Sequence, residues 1–228
     1  MMSDLLPGYF ITGTGTAVGK TWSTVALIHY FRRQGKVVAA MKPVASGCEM
    51  MDGALKNEDA LLLQKHATIN LPYATINPYA FEPAVSPHIA AAQAGEVIVF
   101  EKIHSCFKDL HARSDLVLVE GVGGWHVPLN QQEDVADLAI SLKLPVILVV
   151  AIRLGCINHA RLTLNAILSS DVDCAGWIAS CTEADMLFQE ENIDTLKQIL
   201  NASLLGVLPY SDKPSFEDFA EKLNLENL

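Results

Sequence analysis

Short apolar runs bounded by turn residues recur along the chain, and longer segments with apolar residues at helical spacing separate them. The first pattern is typical of buried strands and the second of helices that pack on one side. The apolar runs predict strands at 9–12, 37–42, 115–120, 145–151, 174–179 and 204–208. The helical segments predict helices at 20–33, 59–65, 87–94, 100–112, 135–142, 158–168, 185–200 and 216–223.

The alternation of these strands and helices predicts the fold class. Runs such as LVLV at 116–119 and VILVV at 146–150 are apolar at every position, as in a parallel sheet that helices cover on both faces. We therefore expect an α/β fold with a doubly wound, mainly parallel sheet flanked by helices. No linker or low-complexity tract interrupts the pattern, so residues 1–228 are interpreted as one domain. Its proline-rich segment 69–87 is expected to be an ordered, loop-rich excursion.

Composition and charge argue against several classes of function. Half of the 228 residues are hydrophobic, which is enough for a sizeable core. The formal net charge of -10 argues against a nucleic-acid partner, because neutralising phosphates takes a clustered surplus of lysine and arginine. The start, MMSDLLPGYF, has no signal-peptide pattern, and the longest apolar run, 146–152, is too short to cross a bilayer. We expect no membrane association, and five cysteines without a CxxC pair favour the cytoplasm.

The segment FITGTGTAVGKT at 10–21 carries the first chemical signal. It follows a predicted strand, opens a predicted helix and ends in Gly-Lys-Thr, as phosphate-binding loops do, which indicates a P-loop nucleoside triphosphate hydrolase-like fold. Five residues separate Gly13 from Gly19, one more than in the usual loop. The Lys20 ammonium could neutralise the β- and γ-phosphates of a nucleotide, and the Thr21 hydroxyl could ligate Mg²⁺. The alternative is a glycine-rich turn with an ordinary lysine, but a positive charge at a helix start is unfavourable without an anion.

Three other charged residues border predicted elements. Glu120 ends a strand at the carboxyl edge of the sheet, where open α/β sheets bind ligands. Asp59 opens a helix, where an acid needs no further function, although both carboxylates suit Mg²⁺. Lys42 ends another strand, and because lysine is seldom buried unpaired it either reaches solvent or meets an anion.

Together these residues resemble the dethiobiotin synthetase family, the ATP-dependent ring-closing enzymes of biotin synthesis. The matching segments cover nearly the whole chain and are GTGTAVGKT, KPVASG, NEDALLLQ, NPYAFEPAVSPHIAA, LVLVEGVGGWHVPL, LGCINHA, CAGWIA and LLGVLPY. The phosphate loop of that family also has five residues between its glycines, which accounts for the spacing of Gly13 and Gly19.

The resemblance implies a site for ATP, Mg²⁺ and a diamine substrate. It implies that Lys20 and Lys42 are catalytic and that Thr21, Asp59 and Glu120 bind Mg²⁺. The implied nucleotide-binding residues are Thr16, Ala17, Val18, Gly19, Lys20, Thr21, Trp22, Asp59, Glu120, Gly121, Val122, Gly123, Ser180, Cys181, Pro209, Tyr210 and Ser211. The implied substrate-binding residues are Lys42, Ser46, Gly155, Cys156, Ile157 and Asn158.

The implied reaction joins CO₂ to 7,8-diaminopelargonic acid (7,8-diaminononanoate). One amine takes up CO₂ to form a carbamate, ATP phosphorylates the carbamate to a carbamic-phosphoric anhydride, and the second amine closes the ring with loss of phosphate. Lys20, Lys42 and Mg²⁺ would offset the repulsion between the two anions. The far carboxylate of the substrate would bind at 156–158, which in the family belongs to the partner subunit of a homodimer. From the residues alone, Asn158 is a plain helix cap.

Three positions depart from the family pattern. Ala17 stands where many members carry Glu, and Gly15 stands where Asp is frequent. Ser180 stands where an Asn that reads adenine is usual, and a hydroxyl lacks the paired donor and acceptor of an amide. Base selectivity is therefore less well specified by the sequence than the reaction is.

Three other nucleotide-dependent classes compete with this interpretation. A partitioning-type, dimerising switch ATPase has a signature lysine at the position of Gly15 and needs a membrane helix or a basic surface, neither of which the sequence indicates. A GTPase is less favoured, because no Asn-Lys-x-Asp segment is found. A related amide-forming ligase would not explain KPVASG together with LGCINHA.

Overall fold

The computed structural model describes residues 7–225. The expected lack of a signal peptide rests on the start of the chain, and residues 1–6 lie outside the described residues. The strands are β1 (Gly8–Gly13), β2 (Val38–Met41), β3 (Val44–Ser46), β4 (Glu49–Met51), β5 (Ala54–Lys56), β6 (Tyr79–Phe81), β7 (Leu116–Glu120), β8 (Val146–Ala151), β9 (Cys174–Ser180) and β10 (Leu204–Leu208). The helices are α1 (Lys20–Arg33), α2 (Glu58–His66), α3 (Tyr73–Ile76), α4 (Pro87–Gln93), α5 (Phe100–His111), α6 (Val135–Leu142), α7 (Cys156–Leu168), α8 (Gln189–Ile199) and α9 (Phe216–Glu221).

The predicted sheet is present, with all six predicted strands in it. Its order is β10-β9-β8-β1-β7-β2, and every neighbouring pair is parallel. β1 lies inside the sheet between β8 and β7, so that the loop that follows β1 has strand ends on both sides. The expected doubly wound α/β fold is therefore confirmed.

The core has two layers, one on each face of the sheet. Successive residues of β7 alternate between them: Val117 and Val119 belong to one buried cluster, and Leu116 and Leu118 to the other. The cluster with Leu116 includes apolar residues of α1 and α9, whereas the cluster with Val117 includes those of α5, α6, α7 and α8. This arrangement explains why the central strands are apolar at every position.

Five short elements were not predicted: β3, β4, β5, β6 and α3, each of three or four residues. Segments this short do not repeat a periodic pattern often enough to be recognised. Two helix starts were also misplaced, because α7 begins at Cys156 rather than at 158, and α8 begins at Gln189 rather than at 185. None of the helices within residues 7–225 is long and apolar enough to span a bilayer.

Candidate active site

The side chain of Lys20 turns back toward the loop between β1 and α1. Lys20 is the first residue of α1 and is buried, and its Nζ donates to the carbonyl oxygens of Gly15 at 2.7 Å and Gly123 at 2.8 Å. Burial first, and then the nearby charge of Lys42, lower the pKa of Lys20 to about 8. Both causes disfavour the ammonium form of Lys20. An anion bound at the loop would stabilise that form.

The two glycines with the unusual spacing are both sterically required. A Cβ at Gly13 would lie 2.5 Å from Cγ2 of Val18, and a Cβ at Gly19 would collide with Oγ of Ser180. Gly19 also has a φ of 88°, in the left-handed region that favours glycine. Ala17, where the family often carries Glu, adopts a left-handed φ of 55° without being glycine. The loop is therefore packed directly against the end of β9, where Ser180 lies.

Lys42 meets anions rather than solvent. It directly follows β2 and is 4% exposed, and its Nζ donates to Oδ2 of Asp59 at 3.0 Å and to Oε1 of Glu120 at 2.5 Å. Thr21 Oγ1 donates to the same Glu120 oxygen at 2.9 Å. Glu120 ends β7, the strand that lies between β1 and β2, and it is fully buried. The alternative that Lys42 reaches solvent is therefore wrong, and Glu120 is likewise removed from solvent.

Lys42 and Asp59 of this cluster hold each other in the ionised state. Burial on its own lowers the pKa of Lys42, but the charges of Glu120 and Asp59 outweigh burial and raise it. Burial on its own raises the pKa of Asp59, but Lys42 outweighs burial and lowers it. Lys42 and Asp59 are consequently charged at neutral pH.

One oxygen of this cluster has no partner. Oε2 of Glu120 is buried and accepts no hydrogen bond, although a buried carboxylate oxygen normally does. Thr21 Oγ1 and the Asp59 carboxylate lie beside the same group through their contacts with Glu120 and Lys42. A hydroxyl and two carboxylates are oxygen ligands of the kind that Mg²⁺ uses together with water and phosphate oxygens. No group of three or more His, Cys, Asp and Glu side chains that could hold a metal occurs within 7–225.

The phosphate loop and the cluster around Lys42 line one cavity of about 820 Å³. Of the residues implied by the family resemblance, the following line it: Thr16, Ala17, Val18, Gly19, Lys20, Thr21, Trp22, Lys42, Ser46, Asp59, Glu120, Val122, Gly123, Ser180, Cys181 and Tyr210. Gly121, Pro209 and Ser211 do not line it, but each is next in sequence to a residue that does.

The cavity has two sides, one on each side of the loop after β1. The lysine side follows β2 and β7 and contains Lys42, Ser46, Asp59, Ser86 and Glu120. The hydroxyl side follows β9 and β10 and contains Ser180, Cys181, Thr182 and Tyr210. The loop with Lys20 and Thr21 separates the two.

Several lining residues were missed by the sequence analysis. They are Ala45, Asn57, Ala84, Val85, Ser86, Pro87, Val127 and Thr182. The segment 84–87 belongs to the proline-rich excursion, whose composition indicated an ordered loop but not what it faces. Its position is fixed by β3 and β6, which pair in parallel, and by the Gly47 N–H, which donates to the carbonyl of Pro83 at 3.2 Å.

Residues 155–158 do not line the cavity. The cap of α7 is Gly155, with a φ of 92°, and Asn158 lies inside the helix, so the interpretation of Asn158 as a helix cap is wrong. A capping residue has a non-helical backbone, and only Gly155 adopts one here. The neighbouring Leu154 is 96% exposed, which leaves an apolar side chain in solvent beside this turn.

Comparisons with known proteins agree with this geometry. Residues 7–217 match the family described as AAA domain. The ATP-dependent dethiobiotin synthetase BioD of Xanthomonas oryzae pv. oryzae (strain PXO99A) is 45% identical over 96% of this chain and 97% of its own length. The enzyme of the same name from Pseudomonas aeruginosa (strain UCBPP-PA14) is 44% identical over 98% of both chains.

Two solved structures share the fold. One is the MinC:MinD cell division protein complex of Aquifex aeolicus, with a TM-score of 0.54 and 19% identity over 94% of this chain and 85% of that one. The other is the signal recognition particle receptor FtsY of Elizabethkingia anophelis, with a TM-score of 0.52 and 13% identity over 96% of this chain and 66% of that one. At these identities the likeness concerns the fold alone. The chain belongs to the AAA domain family and, by its full-length relatives, to the family of ATP-dependent dethiobiotin synthetases, which are ligases.

Proposed function

We propose that this protein uses ATP and Mg²⁺ to close 7,8-diaminononanoate and CO₂ into dethiobiotin, with release of ADP and phosphate, at the penultimate step of biotin synthesis. The observation that carries the proposal is the buried, charged Lys42 beside the phosphate loop, paired with Asp59 and Glu120. A lysine in this position provides positive charge where a carbamate and a γ-phosphate would meet. The relatives that carry the name of this activity support the same conclusion.

In this proposal each of the two lysines stabilises a different anion. Lys20 binds the β- and γ-phosphates at the start of α1, and Lys42 stabilises the negative charge on the carbamate as it is phosphorylated. Phosphoryl transfer requires positioning and charge stabilisation more than covalent help from the protein. Lys42 and Ser46 hold the reacting end of the diamine, and the ring closes when its second amine displaces phosphate from the carbamic-phosphoric anhydride.

Thr21, Asp59 and Glu120 would hold Mg²⁺, and the unpartnered Oε2 of Glu120 supports this assignment. Bound there, the ion would neutralise part of the charge of the phosphates. On the other side of the loop, Ser180, Cys181 and Tyr210 would contact the nucleotide base, with Pro209 and Ser211 beside Tyr210.

We also propose a homodimer in which 155–158 of one subunit bind the far carboxylate of the diamine held by the other. Exposed apolar side chains near the starts of α7 and α8 support a subunit contact there: Leu154 is 96% exposed, Leu187 79% and Phe188 71%. The two helix starts lie together, since Sγ of Cys156 is 3.7 Å from Oδ1 of Asn192. The five free thiols are consistent with a cytoplasmic protein.

The decisive experiment measures phosphate release from Mg²⁺ and ATP with and without the diamine and bicarbonate. We expect release only when both are present, with dethiobiotin formed in equal amount. Phosphate release that is indifferent to both compounds would contradict the proposed function.

A further inference from the structure

Ser86 and His88 form a side-chain pair at the lysine side of the cavity to which the reaction so far gives no role. Ser86 lines the cavity together with Lys42, Ala45 and Ser46. Its Oγ lies 3.0 Å from Nδ1 of His88, and both residues are half-buried. The backbone pairing of β3 with β6 holds this segment against the strand of Ser46.

The Ser86 hydroxyl is not used to stabilise its helix. Ser86 is the cap residue of α4, a position where serine usually accepts a hydrogen bond from a backbone N–H, but its side chain makes no such bond. Ser215 at the start of α9 does cap, because its Oγ accepts from the N–H of Asp218 at 3.3 Å. The two serines therefore occupy equivalent positions and differ in what their hydroxyls do.

The contact with His88 decides what the Ser86 hydroxyl offers to the cavity. When the imidazole carries its proton on Nε2, Nδ1 accepts the hydroxyl hydrogen of Ser86. The oxygen lone pairs of Ser86 are then left for a donor from the cavity. Lys42 cannot serve in this way, since an ammonium only donates, and its donors are directed to Asp59 and Glu120.

A diamine substrate presents the matching groups. Its two amines donate hydrogen bonds, and one of them is an ammonium ion at neutral pH, like the side chain of lysine, since the neighbouring positive charge disfavours protonation of the second. We propose that His88 is a positioning residue that orients the Ser86 hydroxyl as an acceptor for one amine of the substrate. This inference rests on the proposed function and adds two residues to the recognition of the diamine.

The test compares the Michaelis constants of four variants for diamine and for ATP. Ser86→Ala removes the acceptor, and His88→Leu removes the group that orients it. We expect each to raise the KM for the diamine roughly tenfold, the effect of losing a hydrogen bond to a charged group, with the KM for ATP unchanged. The double variant should be no worse than Ser86→Ala, because both changes break one interaction. His88→Asn keeps a polar atom near the position of Nδ1 and should restore most of the affinity.

Ser215→Ala is the matched control, since it removes a serine hydroxyl that does cap a helix. It should lower the melting temperature and leave the KM for the diamine unchanged, whereas Ser86→Ala should leave the melting temperature nearly unchanged. The inference would be overturned if the KM for the diamine is unchanged in Ser86→Ala, or if the effects of the two single changes on that KM multiply in the double variant. Either result would leave the proposed function intact. Wild-type protein without diamine-dependent turnover would overturn the proposed function and this inference together.

Discussion

The lysine side and the hydroxyl side of the cavity start from the same sheet and are built from different chemistry. On the lysine side, Lys42 is joined to Asp59 and Glu120 by short charged contacts, and Lys42 and Asp59 hold each other ionised. On the hydroxyl side, Ser180, Cys181 and Thr182 are neutral, and the Thr182 Oγ1 is buried without a partner. Charged hydrogen bonds are shorter and stronger than neutral ones. The difference indicates that the fold specifies the side proposed for the reaction more tightly than the side proposed for the base.

The strongest test of this difference is Lys42→Gln. Removing a preorganised charge from a site of charge development typically lowers turnover by about 10²- to 10³-fold, and we expect a loss in that range. Nucleotide binding should persist, because Lys20 keeps its own contacts on the loop. Steady-state phosphate release and dethiobiotin formation measure the first effect, and equilibrium nucleotide binding with a melting curve measures the second. Unchanged turnover would remove Lys42 from the mechanism.

Mixed dimers test whether the lysine side is completed by a second subunit. Lys20→Ala and Asn158→Ala proteins are each assayed alone, where we expect both to lack activity, and then after mixing under conditions that exchange subunits. If the site is shared, each mixed dimer regains one intact site, and random exchange should restore about a quarter of wild-type activity. Absence of recovery in demonstrated mixed dimers would count against a shared site.

On the hydroxyl side we expect a smaller effect. Ser180→Ala removes one neutral hydrogen-bonding group and should raise the KM for ATP by about two- to tenfold, with little change in turnover. The residue is buried against Gly19, so the alanine fits the same space. A loss as large as that of Lys42→Gln would show that the two sides are equally demanding. Comparison of ATP with GTP in the same assay measures the selectivity for the base.

The smallest predicted effect concerns the far ends of α1, which begins at Lys20, and of α2, which carries Asp59. His29 of α1 is buried and lies 2.8 Å from His66 of α2, between their Nε2 and Nδ1 atoms. Burial is the main cause that lowers the pKa of both imidazoles. The charge of Arg32 lowers the pKa of His29 further, and that of Lys65 lowers the pKa of His66 further. The charge of Glu217 offsets part of both decreases.

Because both folded-state pKa values lie below the ordinary value of 6.5, the unfolded chain binds protons more readily. This contribution to stability is therefore present above about pH 6.5 and is lost as the pH falls through the folded-state values. The melting temperature should be lower at about pH 5.5 than at about pH 7.5. His66→Asn, which keeps a polar atom but does not titrate, should reduce that difference, and an identical pH dependence would contradict the assignment.

The sequence predicted those parts of the site that border long periodic elements. Lys20, Glu120 and Lys42 each stand at the end of an apolar run or helix, so their common edge followed from the topology of a parallel sheet. It could not predict the contact of Gly19 with Ser180, because that contact joins segments distant in the chain and depends on packing. It also missed 84–87, since a three-residue strand such as β6 leaves no periodic signal.

The ion pairs of Lys42 have a consequence for the order of events at the site. Lys20 and Lys42 contribute two positive charges, and Asp59 and Glu120 contribute two negative ones, so the charges of these four side chains largely cancel. A triphosphate adds negative charge that this balance does not absorb, and bringing unmatched charge out of water is costly. We therefore expect the nucleotide to arrive already paired with its cation, which cancels part of the triphosphate charge, and Lys20 at the start of α1 meets the negative charge that remains.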